Sequence, residues 1–242
     1  MNEFYNFEDN ELSGKISTFK IFITKVYAWM SIGLLITSFV SFYFTKISFL
    51  FNLLYNSKLL LLITFFQIIL VYLLSNIITI LSYKLSIFLF VLYSILNGIT
   101  MSGIFLIYTF ESIFNIFLLT SFIFMFMSIY GFLTKKDLTN LGNLLLMLLL
   151  GILLFSIFNI IFKSILLLYL LSYINIIIFT GLIAFDTQKL KDLSNKLYYT
   201  NNNKLLYKYS ILGALILYLD FINLFLIPIK IFGKKKDEDN YY

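Results

Sequence analysis

Two carboxylates stand where carboxylates are expensive. Asp220 lies about eleven residues into an apolar stretch from Tyr209 to Ile231, close to the middle of a bilayer, where an acid costs about 2.5 to 3.5 kcal/mol on insertion scales. A side chain kept at that cost is by default a functional one. Asp186 closes an earlier apolar stretch, in Phe185-Asp186-Thr187-Gln188 before a lysine-rich connection; alone it reads equally as a helix-end acid that meets Lys189 or water. Consecutive spans with a short loop usually neighbour, and Ser210 and Ala214 offer a small-residue face for close approach. Two carboxyls facing each other in a dry bundle cannot both ionise cheaply and would hold one shared proton. Such a dyad is a proton sensor, a cation ligand or a protease centre. Asn223 shares the Asp220 face one turn on, as a supporting polar group or as glue between helices.

Other chemistries are excluded outright. The chain has no cysteine and no histidine, so disulfides, thiolate catalysis, thiolate or imidazole zinc sites and Ser/His dyads cannot be built. Glu111, the single charge between Lys84 and Lys135, reads as the tip of a helical hairpin; at a pore mouth it would attract cations. Ser94, Gly98 and Ser102 recur every four residues, a groove for another helix. Asn97 beside them and Gln67 are expected to bond neighbouring helices.

The elements that must position these residues are membrane helices. Of 242 residues, 61% are apolar and 12% charged, with a mean hydropathy of +0.95, which no soluble domain shows. A span needs about 20 apolar residues. The stretches 21–44, 59–81, 85–110, 113–133, 141–162, 165–185 and 209–231 supply seven. The fold expected is all-α and polytopic, with a polar N-terminus (1–20), a membrane domain (21–231) and a charged tail (232–242). Met1 to Lys20 lacks the basic start and apolar middle of a signal peptide. All 18 basic residues are lysine; most fall in loops that are cytoplasmic if the N-terminus is cytoplasmic. A re-entrant seventh segment would also bring in the four C-terminal lysines, but its length favours a full crossing. No basic domain is present to bind nucleic acid.

The segment Tyr218-Leu219-Asp220-Phe221-Ile222-Asn223-Leu224-Phe225, preceded by Phe185-Asp186-Thr187-Gln188-Lys189, resembles the paired sixth and seventh spans of the Bax inhibitor-1, or transmembrane Bax inhibitor motif, family. Lys25-Val26-Tyr27-Ala28-Trp29-Met30 is similar to its first span, Leu96-Asn97-Gly98-Ile99-Thr100-Met101-Ser102 to its third, and Tyr130-Gly131-Phe132-Leu133-Thr134-Lys135-Lys136-Asp137-Leu138 to the connection after its fourth. The resemblance implies a seven-helix bundle with the last helix central. It also implies a pH-sensitive calcium leak governed by an aspartate pair that maps onto Asp186 and Asp220, with calcium as the permeant ion, a transient contact of the pair, and no cofactor. Some bacterial relatives pair the aspartate with an arginine of the second span; this chain has only Ser75 and Asn76 there and no arginine. The short N-terminus and compact loops fit the small bacterial form, and hence a bacterial inner membrane.

Three function classes remain open. The leading expectation is a calcium leak gated by protonation of the dyad. An intramembrane aspartyl protease also uses two aspartates, but its Tyr-Asp and Gly-x-Gly-Asp pattern is replaced here by Phe185 and Leu219 before the acids, so no enzyme is expected. The alternative is an interaction protein that modulates a membrane-bound quality-control protease or a stress response without ion transport.

Overall fold

The computed structural model describes residues 2–46, 57–200 and 202–236. The chain is all-α, and the described residues form seven helices: α1 (Asn2–Phe44), α2 (Ser57–Asn76), α3 (Tyr83–Ile107), α4 (Phe110–Leu133), α5 (Thr139–Phe162), α6 (Ile165–Thr200) and α7 (Asn203–Phe232). Each is long and apolar enough to cross a membrane, and no strand occurs among the described residues. The 24 residues of α4 reach roughly 36 Å, against a hydrocarbon core about 30 Å thick. α7 is the most enclosed helix, with 67% of its apolar window buried, whereas α5 buries only 6%. An apolar helix with so little of its surface covered faces lipid on most sides.

Several boundaries differ from those expected. The polar N-terminal segment is helical from Asn2, continuous with the first span. Where a polar connection was expected from residue 188, α6 continues to Thr200. Leu190, Ser194 and Leu197 are buried at intervals of four and three, one helical face, while Lys189 and Lys196 stay exposed. Asn202, within the Asn run, begins α7 by accepting from the backbone N–H groups of Lys204 and Leu205 at 3.0 and 3.2 Å, as an N-cap does. The seventh segment is one uninterrupted helix of 30 residues that contains Pro228. Residues 237–242 of the charged tail lie outside the described residues.

The chain divides into two compact units, Met1–Gly103 with Leu190–Tyr218, and Ile104–Lys189 with Leu219–Tyr242. The first unit centres on Tyr218, whose side chain is fully buried. Asn97 of α3 donates through Nδ2 to the Tyr218 hydroxyl at 2.7 Å, and that hydroxyl lies 2.6 Å from Thr37 Oγ1 of α1. The single Thr37 hydrogen is directed to the carbonyls of Gly33 and Ser94, at 2.9 and 3.0 Å, so Tyr218 donates to Thr37 and accepts from Asn97. The Ser94, Gly98, Ser102 stripe meets α1: a Cβ on Gly98 would stand 2.7 Å from the Thr37 carbonyl oxygen and 2.8 Å from Val40 Cβ. Gln67 donates to Thr100 Oγ1 at 3.4 Å, a bond from α2 to α3.

The second unit packs α4, α5, the first part of α6 and the last part of α7. Leu138, Leu145, Ile152, Leu171, Ile178, Leu182, Ala184 and Phe185 form its core cluster. Glycines set its closest helix contacts: Gly131 of α4 lies against the Ala184 backbone of α6, and Gly142 of α5 against the Phe185 ring. The residues that follow α7 are strapped to the α3–α4 turn. The Thr109 N–H donates to the Lys234 carbonyl at 3.0 Å, the Lys234 N–H to Ser112 Oγ at 3.0 Å, and Lys236 Nζ to the Phe105 carbonyl at 2.7 Å.

Candidate functional site

The two aspartates singled out from the sequence both belong to the second unit, and they meet. The carboxyls of Asp186 on α6 and Asp220 on α7 face each other closely enough to interact side chain to side chain. Ionised carboxylates are acceptors only, so a hydrogen bond between these two would require one shared proton. Asp220 is 6% exposed and Asp186 half-buried. Lys189, one turn beyond Asp186, interacts with it electrostatically and holds its ammonium 5.8 Å from the centre of the Phe185 ring.

Helix packing dictates this meeting. Phe221, next to Asp220, places its ring edge-on to Phe117 and Phe124 of α4, with centroids 5.4 and 5.6 Å apart. On the α6 side, Ala184 rests on Gly131 and Phe185 on Gly142. Both acids therefore follow residues, or precede them, that are locked against α4 or α5. Gln188, two residues beyond Asp186, ties the α4–α5 turn to α6 with both ends of its amide: Nε2 donates to the Lys136 carbonyl at 2.9 Å, and Oε1 accepts from the Leu138 N–H at 2.8 Å. In that turn Asp137 accepts from the backbone N–H and the hydroxyl of Thr139 at 2.9 and 2.6 Å. The Thr139 hydroxyl first, and its N–H second, hold the Asp137 carboxyl below its usual value.

Buried oxygens without hydrogen-bond partners occur in the same unit: Asp220 Oδ2, Thr187 Oγ1, and Thr120 Oγ1 and Ser128 Oγ on α4. Elsewhere in the unit such hydroxyls bond the carbonyl one turn back, as Ser121, Ser172 and Thr180 do. Orphaned buried oxygens are uncommon, and Thr120, Ser128 and Thr187 were not singled out from the sequence. Thr120 and Ser128 share one face of α4 at a spacing of eight; that spacing is the only signal the sequence offers for them.

The other sequence candidates fall differently. Asn97 bonds Tyr218 within the first unit rather than the acid pair. Asn223 is half-buried on α7. Glu111 is exposed, but it is not the hairpin tip: α3 ends at Ile107 and α4 begins at Phe110, so Glu111 lies in the first turn of α4 behind its N-cap Thr109. An acid is favoured there by the helix dipole. Among the described residues no group of three or more acidic side chains gathers. A calcium ion takes six to eight oxygens, so the pair could give it a passing contact and little more without water and backbone.

Comparison with known proteins covers nearly the whole chain. The model of the family described as inhibitor of apoptosis-promoting Bax1 matches residues 20–237. Inner membrane protein YbhL of Escherichia coli K12 is 45% identical over 216 residues, 89% of this chain and 92% of that protein. An uncharacterized protein of Borreliella burgdorferi is 36% identical over 218 residues, 90% of this chain and 93% of its own length. Uncharacterized protein RP147 of Rickettsia prowazekii is 42% identical over 149 residues, 62% of each chain.

Proposed function

The chain belongs to the Bax inhibitor-1 family of membrane proteins, and from that premise we propose that it is a pH-sensitive calcium leak gated at the Asp186–Asp220 pair. One observation carries the reading: two carboxyls on membrane helices whose side chains face each other. Shared carboxyl pairs change charge as a unit when protons arrive or leave. In the closed state the pair keeps a negative charge and its bond joins α6 to α7. Acidification adds a proton, removes the charge that strengthens the bond, and frees the two helix segments to part. The absence of arginine leaves Lys189 as the cation that interacts with Asp186, so closure rests on the pair rather than on an arginine lock. Calcium is a hard cation that carboxylate, carbonyl and water oxygens satisfy, and few fixed oxygens suit passage rather than storage. The proposal places the protein in a bacterial inner membrane with its N-terminus in the cytoplasm; the name of the Escherichia coli relative supports the membrane.

The test is calcium flux into dye-loaded liposomes that carry the purified protein, across the acid-to-neutral range, with Asp186→Asn and Asp220→Asn beside the parent. The expected flux rises on acidification, and each variant loses that dependence. Folded protein that conducts no more than empty liposomes at any pH would overturn the leak. The alternative, an interaction protein acting on a membrane-bound quality-control protease, would then be the better account.

A further inference from the structure

A cleft of about 450 Å³ opens at the α5–α6 turn, lined among others by Ser156, Asn159, Lys163, Ser164, Ser172 and Asn175. Ile160, Ile165, Leu168 and Leu171 complete the lining, and the position is unusual for the polar side chains among them. Ile160, Ile161, Phe162, Ile165 and Leu166, which flank the turn, are 72–73% exposed, and α5 is the least buried of the seven helices. The cleft therefore opens onto the lipid-facing surface. Polar groups facing lipid are costly unless something satisfies them.

Its chemistry selects an anion. Between Asp137 and Asp186 the sequence has one charged residue, Lys163, so no acid of the same hairpin neutralises it. The groups around it are disposed to donate. Asn159 Oδ1 already accepts from the Ser164 N–H at 3.0 Å, which leaves its amide hydrogens to give. Ser164 Oγ accepts from the Leu167 N–H at 3.3 Å, which leaves its hydroxyl hydrogen. Lys163 itself sits in the left-handed region, with φ 50°, where glycine is the cheaper residue. The polar lining then continues away from the turn. Ser156 is seven residues before Lys163, and Asn175 eleven residues beyond Ser164, so it extends roughly 10 to 16 Å along the helices. A cation at the mouth, donors beside it, further polar groups below and apolar walls outside match the anatomy of one class of molecule: phosphate, glycerol esters and acyl chains in that order.

We propose that this cleft holds an anionic phospholipid, with Lys163, Ser164 and Asn159 on its phosphate, Ser156 and Asn175 along its glycerol ester region, and its chains against the exposed face of α5. The site is independent of the acid pair and of the leak. Its volume lies within the 300 to 1,000 Å³ typical of ligand sites.

The test is native mass spectrometry of the full chain in detergent, loaded with equal amounts of dioleoyl phosphatidylglycerol and dioleoyl phosphatidylcholine. The parent should retain phosphatidylglycerol in preference, and Lys163→Gln should lower that preference about fivefold, the ~1 kcal/mol of one lysine at an anionic surface. Lys163→Gly relieves the backbone and should lose the preference with no drop in Tm, which separates binding from folding. Asn175→Leu fills the cleft and leaves the charge in place, so it too should lower retention. Inorganic phosphate and glycerol 3-phosphate in large excess should not displace the lipid. Equal retention of the two lipids by the parent, an unchanged preference in Lys163→Gln, or unchanged retention in Asn175→Leu would overturn the proposal. Displacement by phosphate alone would overturn it in favour of a free anion.

Discussion

Replacing Gly131 with alanine should destabilise the protein even though alanine is the better helix former. A Cβ at Gly131 would meet the carbonyl carbon and Cα of Ala184 at 3.1 Å and its oxygen closer still, where ordinary contact begins at 3.4 Å. Nothing there can swing aside, because the obstacle is the backbone of α6 at a residue that is 2% exposed. The helices must part by about 1 Å, an overpacking that costs about 1 to 3 kcal/mol. Against that stands a gain in helix propensity of up to about 1 kcal/mol. Gly151 on α5 provides the internal control, since a Cβ there meets nothing within 4 Å and only the propensity gain applies. The two variants should therefore move in opposite directions, and because the propensity gain is common to both, the gap between them is the packing cost of about 1 to 3 kcal/mol. At roughly 2 to 4 °C per kcal/mol for a chain of this size, thermal unfolding in detergent resolves such a gap. Equal shifts of the same sign would refute the reasoning, since they would mean that the contact at Ala184 exerts no constraint. Ala184 lies two residues before Asp186, so Gly131→Ala should also alter the proposed gating, whereas Gly151→Ala should leave it intact.

Tyr218→Phe should cost about 1 to 2 kcal/mol, because it strands a buried Asn97 N–H and removes the donor to Thr37 while the apolar contacts remain; a loss below 0.3 kcal/mol in chemical denaturation, on the order of additivity error, would contradict the hub. Gln188→Ala removes both ties of the α4–α5 turn to α6, and tryptic cleavage after Lys135 or Lys136 should accelerate about fivefold or more, the equivalent of one net hydrogen bond. Asp137 is exposed and its carboxyl is held below the usual range by Thr139. The stabilising contribution of a depressed acid is present above its unfolded pKa and is lost as pH falls through the folded one. Exchange protection of the Thr139 amide should therefore decline in acid below the ordinary carboxylate range, and Asp137→Ala should show low protection at every pH.

The sequence made the helices legible because each crossing demands a long apolar run, and it made the acid pair legible because a carboxylate at membrane depth has no inexpensive explanation. It was less informative wherever apolar and polar periodicity coexist. Hydropathy alone ends the sixth span near Phe185, yet Leu190, Ser194 and Leu197 continue its buried face to Thr200, a repeat that average hydropathy hides behind the lysines. The strap of Lys234 and Lys236 onto the α3–α4 turn could not be read at all, since two of its bonds use carbonyl acceptors that every residue carries. Thr120, Ser128 and Thr187 were passed over for a related reason. In most membrane helices such hydroxyls bond their own backbone, and only the structure distinguishes those that do from those that do not.

The same contrast bears on how the acid pair could act. Each acid is held by a neighbour in sequence that cannot easily move: Phe221 between Phe117 and Phe124, Phe185 against Gly142, and Ala184 against Gly131. A pair on mobile loops could accommodate a change of charge by swinging apart, at little consequence to the helices. Here the side chains are short and their backbones are fixed by ring contacts on α7 and by contacts on α6 that glycine alone permits, so a proton gained or lost changes the force between α6 and α7 directly. Closely packed elements respond to such a change by switching between discrete arrangements rather than by graded bending. That rigidity is why the gating proposal predicts a change in pH response from substitutions at Gly131 and Gly142, neither of which carries a titratable group.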